Sequence, residues 1–92
     1  MIRSFRDHDT EAIFNGFAVD KFQSIAKTAR RKLREIHRAR SLRDLAALPG
    51  DRLEALKGDR VGQHSIRIND QYRACFVWKD GEAFLVEVTD YH

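Results

Sequence analysis

Ninety-two residues, 42% hydrophobic and 34% charged, fit one small soluble domain over positions 1–92 with a single modest core. No apolar run approaches the roughly 20 residues of a membrane span, and no secretory h-region follows Met1. The lone cysteine, Cys75, rules out an internal disulfide, so the reading is a cytoplasmic protein with no membrane association. Charge is uneven: the net value is only +3, yet nine of the seventeen Lys and Arg residues fall between Lys21 and Arg43, beside one acid, Glu35. Such a stripe marks either a surface for a polyanion or acidic protein, or a solvated helix face.

In chain order, Met1 to Phe5 alternates enough, through Ile2 and Phe5, for a short strand. Asp7 to Gly16 mixes turn formers with a helical turn around Glu11 to Phe14, and Gly16 is the stop. Asp20 is the expected N-cap of a long amphipathic helix ending near Arg40. Phe22, Ile25, Ala26, Ala29, Leu33 and Ile36 recur at helical spacing on its buried face. Ser41 and Asp44 have the spacing of a capping box for a second, shorter helix with the stripe Leu42, Leu45 and Leu48, closed by Pro49-Gly50. The short connection predicts that these two helices run antiparallel.

Three strands then follow, over His64–Ile68, Tyr72–Trp78 and Ala83–Thr89. Asn69-Asp70 turns the chain between the first two, and Asp80-Gly81 is a strong hairpin signal between the second and third. The third strand is apolar on both faces for most of its length, which suits a central position. Phe76, Trp78 and Phe84 read as core, and Cys75 as packed within the sheet rather than as a nucleophile. The expected fold is α+β in two layers: a short N-terminal strand and two antiparallel helices packed on a small, mainly antiparallel sheet.

The chain ends Asp90-Tyr91-His92 directly off a strand. Three polar, reactive side chains with no tail to bury make this the first candidate for a site. Together with two other pieces the ending resembles the HigB branch of the RelE/ParE toxin superfamily, the toxin halves of type II toxin–antitoxin pairs. Those pieces are Leu56-Lys57-Gly58-Asp59-Arg60-Val61-Gly62 and the Asn69-Asp70-Gln71-Tyr72-Arg73 turn into Phe76-Val77-Trp78. Met1-Ile2-Arg3-Ser4-Phe5 is similar to that branch as well, so the likeness covers nearly the whole chain.

The resemblance implies a RelE-like fold and an mRNA-cleaving toxin acting in the ribosomal A site. It implies a helix-turn-helix antitoxin of the HigA type as the partner that holds the toxin inactive, and operator DNA contacted only through that complex. It implies a ribonuclease that needs no metal or cofactor, and the matching positions are Lys57, Arg73, Asp90, Tyr91 and His92. Glu54 is a departure: members of the branch often carry a histidine two residues before the Leu-Lys-Gly segment.

Transphosphorylation of RNA requires a base for the 2′-hydroxyl, cations for the charge gathering on phosphorus, and a proton for the departing 5′-oxygen. Lys57 and Arg73 suit the second task, arginine through its bidentate fork. His92 titrates near neutrality, and the adjoining α-carboxylate favours its protonated ring, so it serves as acid as readily as base, with Asp90 the competing base. Tyr91 alternates to the other side of the strand and either positions substrate or closes the core. Glu54 either accepts a proton in place of the histidine or pairs with a nearby cation. Arg30, Arg31, Arg34 and Arg38 of the basic helix, and His64 at a strand edge, are the candidate RNA contacts. The remaining histidines, His8 and His37, carry no signal, and no Cys-x2-Cys or His-Glu-x-x-His spacing points to a metal. Two other readings fit the same fold: a toxin that works by binding, as the ParE branch does on DNA gyrase, and a plain binding module of an antitoxin complex.

Overall fold

Apolar spacing near 3.6 residues in the first half of the chain and near two in the second yields a helical layer on a sheet. The computed structural model describes residues 1–90 of this arrangement. Among them stand three helices and a four-stranded antiparallel sheet in the order β1-β2-β3-β4. Helix α1 (His8–Phe14) is longer than the single turn expected, and buries Thr10 and Ile13. Helix α2 (Ala26–Arg38) buries Ala29, Leu33 and Ile36 as the spacing predicts, and Lys32 besides. Phe14 meets His37 at 5.2 Å between ring centres, and Arg30 Nε donates to the Ile13 carbonyl at 2.8 Å, which ties α1 to α2.

Asp20 does not cap α2. It opens a separate 3-10 turn, Asp20–Phe22, and Ile25 takes the N-cap position of the helix. A 3-10 turn stacks residues three apart, so Phe22 and Ile25 reach the core from one side, and both are buried. The apolar period cannot distinguish this tighter turn from the start of an α-helix.

Helix α3 (Leu42–Ala46) begins as expected. Asp44 N–H donates to Ser41 Oγ at 3.3 Å, and Ser41 N–H donates to Asp44 Oδ2 at 3.2 Å, a reciprocal capping box. Beyond it, Asp51 is buried and paired with the ammonium of Lys32. Neither charge could be left alone there, since an unpaired buried ion costs several kcal/mol, on the order of 3–5.

Strands β2 (Gln63–Arg67), β3 (Tyr72–Lys79) and β4 (Glu82–Asp90) match the three expected, and β1 (Glu54–Ala55) adds a two-residue edge. Asp80 and Gly81 both take positive φ, 54° and 79°, as the hairpin turn requires. The N-terminal segment is no full strand. It makes two isolated parallel bridges to β4, Ile2 to Ala83 and Phe5 to Val86. These give β4 a neighbour on each side, which explains its apolar sequence.

Strand β4 carries a bulge. Cys75 pairs with Glu87 and Val77 with Phe84, so β4 has one residue more than β3 across that interval. Leu85 takes φ 53° there, and its N–H donates to Ser4 Oγ at 2.9 Å. The bulge leaves Phe84 opposite Val77 and only half-buried, outside the main core, whereas Phe76 is fully buried and Trp78 packs against the core. The core itself is Ile13, Leu33, Ile36, Leu45, Ile66, Phe76 and Val86, between the helices and one face of the sheet.

Candidate functional site

The face of the sheet away from this core carries the charge. Alternation along the paired strands places Gln63, Ser65 and Arg67 of β2, Arg73 and Cys75 of β3, and Glu87 and Thr89 of β4 on it. One rung crosses all four strands: Glu54 opposite Ser65, Ser65 opposite Cys75, and Cys75 opposite Glu87. Arg73 stands beside that rung, its Nη1 donating to Ser65 Oγ at 3.4 Å.

Lys57 arrives by a different route. Leu56 is buried and its N–H donates to the Gln63 carbonyl at 2.9 Å, which pins the chain just before Lys57. Gly58, at φ 63°, then starts a 3-10 turn through Arg60, and Gly62, at φ 93°, returns the chain to β2. Both glycines sit at backbone angles that a larger residue occupies only with strain. Glu54 and Lys57 are exposed, and with Ala55 and Leu56 they line a hollow of about 350 Å³.

Arg60 closes the 3-10 turn that follows Lys57. Its Nη1 donates to Gln63 Oε1 at 3.0 Å and to Glu87 Oε1 at 3.2 Å, and Arg6 Nε lies 3.8 Å from the same Glu87 oxygen. Two arginines therefore gather around one acid, with Arg73 on the same face of the sheet and Lys57 nearby in the chain. Arg6 and Glu87 gave no signal in the sequence, because register alone brings them together. Buried Cys75 sits under this group. Burial pushes its thiol up first and Glu87 adds to that, against the pull of Arg60 and Arg73, so the sulfur stays protonated at neutral pH. The expectation that Cys75 packs rather than attacks agrees with this.

Other candidates fall elsewhere. His64 pairs with Phe76 and lies on the opposite, core-facing side, its ring stacked on Phe76 at 6.3 Å and 24°. It does not share a face with Arg73. Asp90 closes β4 opposite Tyr72, one rung beyond the Arg73–Thr89 pair, and its Oδ2 accepts from Gln71 Nε2 at 3.0 Å. Alternation puts Asp90 on the other face from Arg73. Tyr91 and His92 lie outside the described residues.

The basic helix divides by environment. Lys27, Arg31, Arg34 and Arg38 are exposed at helical spacing along one stripe of α2. Arg30 is half-buried and committed to the Ile13 carbonyl, and Lys32 is buried against Asp51. Both belong to the packing of the fold. Among the described residues no group of three His, Cys, Asp or Glu side chains could hold a metal ion, and no helix is long and apolar enough to cross a membrane.

Residues 3–92 match the profile of the HigB-like toxins, described as the RelE-like toxin of type II toxin–antitoxin system HigB. Toxin HigB-1 of Vibrio cholerae serotype O1 is 45% identical over 60 residues, which span 65% of this chain and 63% of that relative. In fold, the chain is similar to the YoeB–YefM complex from Staphylococcus aureus, with a TM-score of 0.61 at 20% identity over 100% of this chain and 98% of that one. A heterotetrameric YoeB–YefM complex from the same organism gives a TM-score of 0.62 at 20% identity and the same coverage. The YoeB dimer gives 0.58 at 21% identity over 99% of this chain and 97% of that one.

Proposed function

The chain belongs to the HigB-like family of RelE-like toxins of type II toxin–antitoxin systems, and from that premise we propose that it is a ribosome-dependent mRNA endoribonuclease that blocks translation. The supporting observation is the placement of Arg73 on the face of the sheet away from the core, with Arg60 held to Glu87 of that face and Glu54 on the same rung as Ser65, while Lys57 shares an exposed hollow with Glu54. Guanidinium and ammonium donors suit the transient charge of a phosphorane-like transition state.

In the reaction, a base takes the proton of a ribose 2′-hydroxyl, and the oxygen attacks the adjacent phosphorus. A bond forms from O2′ to phosphorus, the bond from phosphorus to O5′ breaks, and a proton passes to the departing 5′-oxygen. Products are a 2′,3′-cyclic phosphate and a free 5′-hydroxyl. Arg73 holds two phosphate oxygens and Lys57 offsets the gathering charge. Asp90, Tyr91 and His92 adjoin the far end of the Arg73 rung in sequence, and His92 supplies the acid or the base, with Glu54 or Asp90 as its counterpart. Tyr91 positions the nucleotide whose phosphodiester is cut. The chemistry needs no metal or cofactor.

The exposed stripe Arg31, Arg34 and Arg38 contacts ribosomal RNA phosphates, with His64 and the half-buried Arg30 as weaker candidates because both are engaged within the fold. A helix-turn-helix antitoxin of the HigA type, carrying acidic residues, is the cognate partner, and operator DNA is reached only through that complex. The protein acts in the cytoplasm, where ribosomes translate. Cleavage of a defined mRNA on translating ribosomes, compared between wild type, Arg73→Ala and His92→Gln, tests this reading. Cleavage in the A site that disappears in both variants supports it. Growth arrest without cleavage by the wild type transfers the chain to the binding toxins, with DNA gyrase the first target to examine.

A further inference from the structure

Helix α2 faces the segment that leads into β1 through a cluster of three ionisable groups, two buried and one half-buried. Lys32 and Asp51 form an ion pair, both nearly inaccessible to water. Glu35, one helical turn from Lys32, is a hydrogen-bonding neighbour of Asp51. Glu35 Oε1 and Asp51 Oδ2 are buried oxygens for which no donor stands among the described residues. Two ionised carboxylates cannot satisfy one another, since each only accepts. One proton between them satisfies both. It also leaves the cluster neutral: one ammonium, one carboxylate and one carboxylic acid.

Asp51 is held through its backbone as well. Its carbonyl accepts from Arg67 N–H at 2.6 Å and its own N–H donates to the Leu48 carbonyl at 3.4 Å. The next residue, Arg52, takes φ 49°, a left-handed turn that redirects the chain toward Glu54. The clasped residue is thus the pivot between α3, the end of β2 and the exposed segment bearing Glu54 and Lys57.

We propose that Lys32, Glu35 and Asp51 form a proton-dependent clasp, closed when Glu35 donates a shared proton to Asp51, that positions the Glu54–Lys57 segment. The three are positioning residues that act through the backbone. The importance attached to that segment rests on the nuclease reading, whereas the clasp itself is scored without any cleavage assay.

Other charges around Glu35 are Arg31 on its own helix, and Arg38 and Asp44, which line a cavity of about 310 Å³ beside it. Burial first, and then Asp51, push the Glu35 carboxyl up from 4.5 to about 7, against the opposing pull of Lys32 and Arg31. Between those two values the folded chain holds a proton that the unfolded chain has released. The stabilisation is therefore complete below about 4.5 and is lost as the pH rises to about 7. Above that, two carboxylates share one ammonium and the clasp loosens.

The test is amide hydrogen exchange on the whole chain between pH 5.5 and 8, expressed as protection relative to the intrinsic rate at each pH. Two amides report: Arg67, which donates to Asp51, and Leu56, which donates to Gln63. The expected result is a fall of about tenfold in both over this range, a figure discounted for the partial solvent access of Glu35. Glu35→Gln supplies a permanent donor to Asp51 and should hold both protections level. Carboxyl carbon NMR of the wild type needs no variant and should show Glu35 titrating near neutrality. Titration in the ordinary range of a glutamate, or equal pH dependence in wild type and Glu35→Gln, overturns the clasp. Absence of mRNA cleavage at every pH overturns the nuclease reading and leaves the exchange result standing.

Discussion

Replacing Thr10 with valine should destabilise the fold by about 1–2 kcal/mol. Thr10 is wholly buried on α1, and its Oγ1 accepts the backbone N–H of Val88 at 2.9 Å. The Val88 N–H lies on the edge of β4 beyond the last N-terminal bridge, at Val86, so this hydroxyl takes over where residues 1–6 leave off. Valine fills the same volume and opens no cavity, but it leaves a buried amide without an acceptor. That orphaned donor costs roughly 1–3 kcal/mol, and the added methyl returns a part of it. In a chain of this size each kcal/mol lowers the melting temperature by about 4–8 °C. Urea unfolding followed by circular dichroism measures the loss, with Thr10→Ser as the control that keeps the hydroxyl. A Thr10→Ser variant as unstable as Thr10→Val would show that the methyl matters and the hydrogen bond does not. Hydrogen exchange at Val88 gives a second reading, and it should accelerate only in Thr10→Val.

Ser41→Ala should cost about 1 kcal/mol by removing half of the capping box on α3, seen as a lower urea midpoint at unchanged slope. Leu85→Gly should raise stability by up to about 1 kcal/mol, because Leu85 is exposed and holds a left-handed backbone angle that glycine adopts without strain. Arg34→Ala should weaken ribosome binding and reduce the slope of log K against log salt by up to about 0.7–0.9, one phosphate contact, in a fluorescence titration. Arg30→Ala should change that slope less than Arg34→Ala does and lower the melting temperature, because Arg30 serves the Ile13 carbonyl.

The strong local signals in the sequence correspond to real elements. Ser41 and Asp44, Asp80-Gly81, the α2 stripe and the alternation of β2 all act over a few residues, and each fixes its own structure before the rest of the chain is considered. Strand β1 escaped because two residues have no period. Lys32 was counted with the surface cations because its partner Asp51 is 19 positions away. The same distance effect hid Thr10, Arg6 and Glu87, whose neighbours are chosen by register and topology. Within the site, Lys57, Arg73 and Glu54 were legible as residues, but the meeting of Glu54 and Arg73 at Ser65 depends on the strand pairing. A strand edge in sequence says nothing of which face a ring takes, and the pairing sets His64 opposite Phe76, on the other face from Arg73.

The two parallel bridges between the N-terminal segment and β4 have a kinetic consequence. Ser4 and Leu85 are joined across 81 positions, close to the largest separation a chain of this length permits. Such contacts raise the contact order and slow closure, since the loop entropy is lost before the pairing is gained. During synthesis the residues made early must wait, unpaired on one side, until β4 has been made. The arginines of the open face stay scattered for that whole interval, because Arg6 and Glu87 belong to the two segments that meet last. For a toxin proposed to attack the ribosome, the fold itself thus postpones activity until β4 has left the machine that is making it.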